Sequence, residues 1–120
     1  MFSKIQFYIF KEMNLKLNKT WDTLLNKLNK KNGYDLTISS VLFLIGLQEM
    51  GFINKKLNKQ QKLEVIHNGL CVVLSKKGYY KLNHKDNDGW LHWDNVKPLP
   101  KITEKEQEAL IKKMIIEYFS

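Results

Sequence analysis

Apolar positions recur at helical spacing in four stretches of the chain. In the first, Leu17, Trp21, Leu24, Leu25 and Leu28 fall on one stripe, and Gly33 is placed to stop the segment. The second runs from Thr37 to Met50. Thr37 has the chemistry of an N-cap, Leu36 and Val41 have the spacing of a hydrophobic staple, and Gly51 stands where a helix commonly closes. Ile38, Val41, Leu42, Phe43, Leu44, Ile45 and Leu47 leave this helix almost no polar face, which predicts a central position. The third stretch, Lys59 to Lys77, starts behind Asn58 with Gln61 three residues on, the pattern of a capping box, and ends before Gly78. Its predicted stripe is Leu63, Ile66, His67, Leu70 and Leu74, widened by Val65, Val72 and Val73. The fourth begins at Thr103, with Glu106 three residues later, and buries Leu110, Ile111, Met114, Ile115 and Tyr118.

Between the third and fourth helices the period changes. Asp88-Gly89 is a turn signal, with Tyr79, Tyr80 and Leu82 before it and Trp90, Leu91 and Trp93 after it. The fold class predicted is therefore mainly α: a compact four-helix domain with a short β-hairpin or ordered loop between helices three and four. Residues 1–12 fit a strand, a helix extension or a peripheral extension ahead of Met13. At 120 residues the chain has the length of a single domain and enough of it to fold without disulfides or a structural metal.

Charge changes this picture less than its sum suggests. The net charge is +8, and all 20 basic residues are lysine. Lysine, asparagine and isoleucine share A- and T-rich codons, so genome composition alone yields such a balance. Arginine, the better residue for bidentate contacts to phosphate or guanine, is absent. Residues 1–33 carry +5 and residues 34–78 carry +3, while 79–100 and 101–120 each balance to zero. A polyanion-binding surface would therefore use Lys27, Lys30, Lys31, Lys55, Lys56, Lys59 and Lys62, around the helix ends. The single cysteine, Cys71, excludes an intramolecular disulfide and suits a reducing, cytoplasmic setting. The N-terminal stretch lacks the pattern of a secretory signal, and the longest apolar run, Val41 to Leu47, is far short of a membrane span.

The chemistry-bearing residues concentrate between His84 and Asp94: two tryptophans, two histidines and three carboxylates. Such a segment can stack a planar ligand, hold a metal or anchor a partner. As a calcium loop it fails, because aligning Gly89 to the sixth position puts His84 and Asn95 where carboxylates are required. His67 and Cys71, four apart on a helix, could supply half of a transition-metal site, with His84 or His92 completing it, but no compact ligand motif is present. A Cys71 nucleophile paired with a histidine lacks an activating context, and phosphate loops, HExxH and GxSxG are absent. No catalytic residue, metal or cofactor is predicted.

Two resemblances follow from particular segments. Leu74-Ser75-Lys76-Lys77-Gly78-Tyr79-Tyr80-Lys81-Leu82, Asp86-Asn87-Asp88-Gly89 and Ile102-Thr103-Glu104-Lys105 resemble the end of a recognition helix, a wing tip and the following helix of a winged-helix domain of the MarR type. That resemblance implies DNA binding, although Gly89-Trp90 stands where such wings carry arginine. Leu44-Ile45-Gly46-Leu47-Gln48-Glu49, Gly89-Trp90-Leu91-His92-Trp93, and Lys105-Glu106-Gln107-Glu108 with Glu117-Tyr118-Phe119 are similar to segments of small bacterial proteins of unknown function. This second resemblance implies one domain and transfers no activity.

The leading expectation is a non-catalytic binding module. Trp90, His92 and Trp93, with Tyr79 and Tyr80 nearby, would engage a protein partner or a second copy of the chain. The alternative is a winged-helix-like DNA-binding protein using the lysine set. A small enzyme or metal-binding protein built around Cys71 and the histidines is the third.

Overall fold

The computed structural model describes the backbone of residues 4–32 and 36–120, and the side chains of 13–28 and 36–120. Among these residues there are four helices and one hairpin, in the order α1 (Lys4–Asn32), α2 (Ile38–Met50), α3 (Lys59–Ser75), β1 (Tyr80–Lys85), β2 (Leu91–Asn95) and α4 (Glu104–Tyr118). The mainly helical class and the hairpin between the third and fourth helices are as the sequence predicts. Contacts gather into two units, Met1–Leu36 with Thr103–Ser120, and Thr37–Ile102.

The first unit pairs α1 with α4. The backbone is already helical at Lys4, so residues 4–12 extend the helix rather than form a strand. The expected stop at Gly33 lies outside the described residues. Thr20 and Thr23 donate their hydroxyls to the carbonyls one turn back, at 2.9 Å each, which lets these β-branched residues sit inside the helix with their polar atoms satisfied. Trp21 is buried, and the Lys112 ammonium stands 5.6 Å from the centre of its ring. At the start of α4 the Thr103 hydroxyl accepts from the Glu106 amide, while the Glu106 carboxylate accepts from the Thr103 amide and hydroxyl. The carboxylates of Glu104 and Glu106 also suit the positive end of the helix dipole. Met114 and Ile115 are its buried residues.

The second unit is built on α3. Thr37 caps α2 by accepting from the Ser40 amide at 3.2 Å, and Gly51 closes that helix with φ 68°. Asn58 and Gln61 form the predicted reciprocal box at the start of α3, at 2.8 and 2.9 Å. The two helices pack through glycine. A methyl group on Gly69 would overlap the Leu42 carbonyl, and one on Gly46 would overlap the Val65 carbonyl. Backbone therefore meets backbone where α2 and α3 cross, flanked by the fully buried Val41, Ile45, Val65, Cys71 and Val73.

The face that α3 turns to this crossing matches the predicted set in part: Val65, Val72, Val73 and Leu74 are buried as expected, and Ile66 and Leu70 are half-buried. The buried set is Val65, Asn68, Gly69, Cys71, Val72, Val73 and Leu74, whereas Leu63 is 53% exposed and His67 also faces outward. Leu63 lies two residues from Val65, about 200° around the helix axis, so the two cannot share a face. The glycine, which scores as neutral in an apolar pattern, decides which face is inward.

After α3 the chain reverses through Gly78, and the Tyr79 amide donates to the Leu74 carbonyl at 3.2 Å. The strands pair antiparallel, with Tyr80 opposite Asn95, Lys81 opposite Asp94, Leu82 opposite Trp93, His84 opposite His92 and Lys85 opposite Leu91. The register shifts between Leu82 and His84, leaving Asn83 as a bulge. Among the described residues no helix is long and apolar enough to cross a membrane.

Candidate functional site

The turn of the hairpin is organised by one carboxylate. Asp86 Oδ1 accepts from the amides of Asp88 and Trp90, both at 2.9 Å, and Oδ2 bonds His92 Nε2 at 2.8 Å. The Asp86 amide donates to the Trp90 carbonyl at 2.9 Å, and the Gly89 amide donates to the Asp86 carbonyl at 3.1 Å. Gly89, with φ 93°, makes the left-handed step that the Asp-Gly pair predicts. The bond from His92, and then those from the Trp90 and Asp88 amides, hold the Asp86 carboxyl below its ordinary range.

A second relay fixes the neighbouring imidazole. Asn83 Nδ2 donates to the Asp94 carboxylate at 3.1 and 3.3 Å, which orients the amide so that its oxygen faces His84 Nδ1 at 2.7 Å. His84 Nδ1 and His92 Nε2 are thus the protonated nitrogens, because each faces an acceptor. The two rings stack across the strands with centroids 4.5 Å apart and planes 1° from parallel. A metal ion lies in the plane of each imidazole that binds it, and two stacked parallel rings share no such point, so this pair is not arranged as a chelate. Among the described residues no three of His, Cys, Asp and Glu gather as a ligand set.

The tryptophans have different partners. Trp93 donates its indole N–H to Asn68 Oδ1 at 2.9 Å, and Asn68 Nδ2 donates to the Glu64 carbonyl at 3.0 Å. Asn68 is only 6% exposed, so its side chain is a buried polar bridge that seats the hairpin on α3. Trp90 meets Phe52 edge-on, with centroids 5.1 Å apart and planes at 80°. The Lys55 ammonium sits 4.0 Å from the Phe52 centroid and 5.6 Å from that of Trp90, and donates to the Asp88 carbonyl at 3.2 Å.

Between α3 and the hairpin lies an open cleft of about 360 Å³. Gln61, Glu64, His67 and Asn68 line it from the helix, and Asp86, Trp90, Leu91 and His92 from the hairpin. Of the residues singled out from the sequence, Trp90 and His92 are brought together here, while Trp93 contributes through Asn68. Tyr79 and Tyr80 lie at the open end of the hairpin, away from the turn, with the Lys97 ammonium 4.4 Å from the Tyr79 ring centre. Gln61, Glu64 and Asn68 were not anticipated. Their spacing of three and four residues places them on one helix face, but nothing in an isolated sequence marks that face as the one the hairpin covers.

Cys71 and His67 do approach, with Sγ and Nε2 3.5 Å apart, as their spacing predicts. Burial raises the Cys71 thiol to about 11, the opposite of the shift that makes a thiolate nucleophile. The lysine set divides between the units. Lys27 is exposed on α1, and the side chains of Lys30 and Lys31 lie outside the described residues. Lys55, Lys56, Lys59 and Lys62 are exposed around the start of α3.

No protein family, curated protein or solved structure matches this chain.

Proposed function

We propose that the Thr37–Ile102 unit is a non-catalytic binding module that receives a segment of a protein partner in the cleft between α3 and the hairpin. The observation that carries this reading is the preorganised wall of the cleft. The His92 ring is tied to Asp86, the Trp90 backbone amide bonds the same carboxylate, and the Trp90 indole rests edge-on against Phe52, so the polar and aromatic groups facing the cleft are held before any partner arrives. Fixing side chains in advance reduces the ordering cost of association. The polar lining supplied by Gln61, Glu64 and His67 suits hydrogen-bonding side chains of a polypeptide better than a wholly apolar ligand. A cytoplasmic setting, suggested by the single buried cysteine, belongs with this reading.

The test uses residues that line the cleft without holding the fold. Glu64 and His67 are exposed, so a Glu64→Ala/His67→Ala variant should keep the native circular dichroism spectrum. Affinity capture from cells, read by quantitative mass spectrometry, should return a partner with the wild-type chain and lose it with this variant. Equal recovery by both proteins would sink the proposal.

A winged-helix-like role in DNA binding is the second reading. It is favoured by the order α2, α3, β1, β2 within one unit and by the lysines at the start of α3, the end of a recognition helix that usually meets base edges. The Thr37–Ile102 unit carries ten lysines against five carboxylates, although Asp86 and Asp88 occupy the hairpin tip where a wing would approach phosphate. Fluorescence anisotropy with labelled duplex and single-stranded DNA separates the two readings. Binding that persists at physiological salt and weakens on Lys59→Ala/Lys62→Ala supports DNA recognition. Binding that vanishes at physiological salt assigns the charge to composition.

A further inference from the structure

The cleft between α3 and the hairpin is charged against the rest of the molecule. The chain carries +8 with its histidines neutral and has 20 lysines in 120 residues. Yet the cleft lining contains no lysine and two carboxylates, Glu64 and Asp86. The lysines nearest to it are turned elsewhere. On α3, Lys59 stands two residues before Gln61 and Lys62 two before Glu64, about 200° around the axis in each case, so neither shares the cleft face. Lys55 is held on the Phe52 ring and the Asp88 carbonyl, and the Lys85 chain runs beside Gly89 in the turn.

Two polar groups of the lining have bonding capacity left. Glu64 is exposed, and among the described residues its carboxylate has no partner; only its backbone carbonyl is bonded, by Asn68. Asn68 is buried, and its amide nitrogen carries two hydrogens. One reaches the Glu64 carbonyl and the amide oxygen accepts from Trp93, while the second hydrogen has no acceptor among the described residues. A buried donor beside an open cleft favours a ligand that brings an acceptor. On the opposite wall Trp90 offers the π surface that attracts ammonium and guanidinium groups.

We infer that the cleft takes a lysine or arginine side chain of the partner segment, with the Glu64 carboxylate as its counter-ion and Asn68 donating to a main-chain carbonyl of the same segment. This rests on the reading of the cleft as a site for a polypeptide, and it names what the cleft selects. Asp86 deepens the negative potential while keeping its bonds to the turn and to His92. The field of the whole molecule favours anions, so a preference for a cation can arise only from the cleft itself.

Amide NMR of the isotope-labelled full chain tests this with acetylated, amidated pentapeptides carrying arginine, lysine, glutamine or glutamate at the centre of four alanines. The arginine and lysine peptides should move the His67, Trp90 and His92 signals saturably. They should bind about fivefold more tightly than the glutamine peptide, or better. Glu64→Gln should remove most of that preference, and Glu64→Lys should reverse it in favour of the glutamate peptide. Glu64 is exposed, so both variants should keep the native spectrum elsewhere. Equal binding of the glutamine and arginine peptides, unaltered by Glu64→Gln, overturns the cation preference and leaves the peptide cleft standing. A preference for glutamate in the wild type, or no shift of the cleft signals with any peptide, also overturns it. Partner capture with the Glu64→Ala/His67→Ala variant then decides the cleft reading separately.

Discussion

The two faces of α3 use opposite means to hold a neighbour. Against α2 it presents Gly69, and backbone meets backbone at the Leu42 carbonyl. Against the hairpin it presents Asn68, and contact depends on an indole N–H, an amide and a carbonyl. The first face excludes water and leaves no room to yield. The second leaves a cleft open beside it. A single helix can thus be rigid on the side that makes the core and accommodating on the side that is free to bind. The boundary between those roles passes through adjacent residues, 68 and 69.

Breaking the tight side should have the largest effect. Gly69→Ala would drive a methyl group into the Leu42 carbonyl, and because backbone cannot swing aside as a side chain can, a loss of about 3 kcal/mol or more is expected in urea denaturation. Gly46→Ala, which strikes the Val65 carbonyl, should follow it closely. On the polar side, Asn68→Ala leaves the Trp93 N–H without its acceptor and should cost about 1–3 kcal/mol. A shift in tryptophan emission should accompany that loss, because the hairpin is no longer seated.

Within the Thr37–Ile102 unit, acid should act on the hairpin rather than on the α2–α3 crossing. Asp86 titrates lower in the folded chain than in the unfolded one, so its contribution is fully present above the ordinary carboxyl value, near 3.9. The contribution is lost as pH falls from there through the depressed folded value. Hairpin amide signals in NMR should broaden or shift over that window while those of α2 hold, and Asp86→Asn should abolish the pH dependence. Equal acid sensitivity in α2 would remove the contrast between the two sides. The smallest effect belongs to Lys55→Ala, which removes an exposed cation from the Phe52 and Trp90 rings and should cost about 0.5–1 kcal/mol in the same denaturation assay.

Much of this architecture is legible from short-range chemistry. Thr37, Asn58 and Thr103 cap their helices as spacing predicts, because a cap needs only residues within one turn of each other. The Asp88-Gly89 turn is readable for the same reason. What escapes is orientation. An apolar count puts Leu63 in the core and gives Gly69 no weight, yet Gly69 sets the crossing and Leu63 is left outside. The tryptophans announce themselves as a cluster, but Asn68 and Phe52 lie 25 residues or more from the rings they touch, and nothing local links them. The first nine helical residues of α1, 4–12, fit several readings in the sequence, because an aromatic-rich segment suits more than one period.

The glycine crossing also bears on the order in which this unit assembles. Only the short segment from Gly51 to Asn58 separates α2 from α3, so bringing them together closes a small loop at little entropic cost. Two smooth surfaces can slide into register without first sorting interlocked side chains. The hairpin is seated on α3 by a hydrogen bond that needs Asn68 already in place on a formed helix. The helix pair is thereby the natural nucleus, with the hairpin docking afterwards on the native side of the folding barrier. Destabilising the hairpin should then speed unfolding and leave the rate of folding nearly untouched.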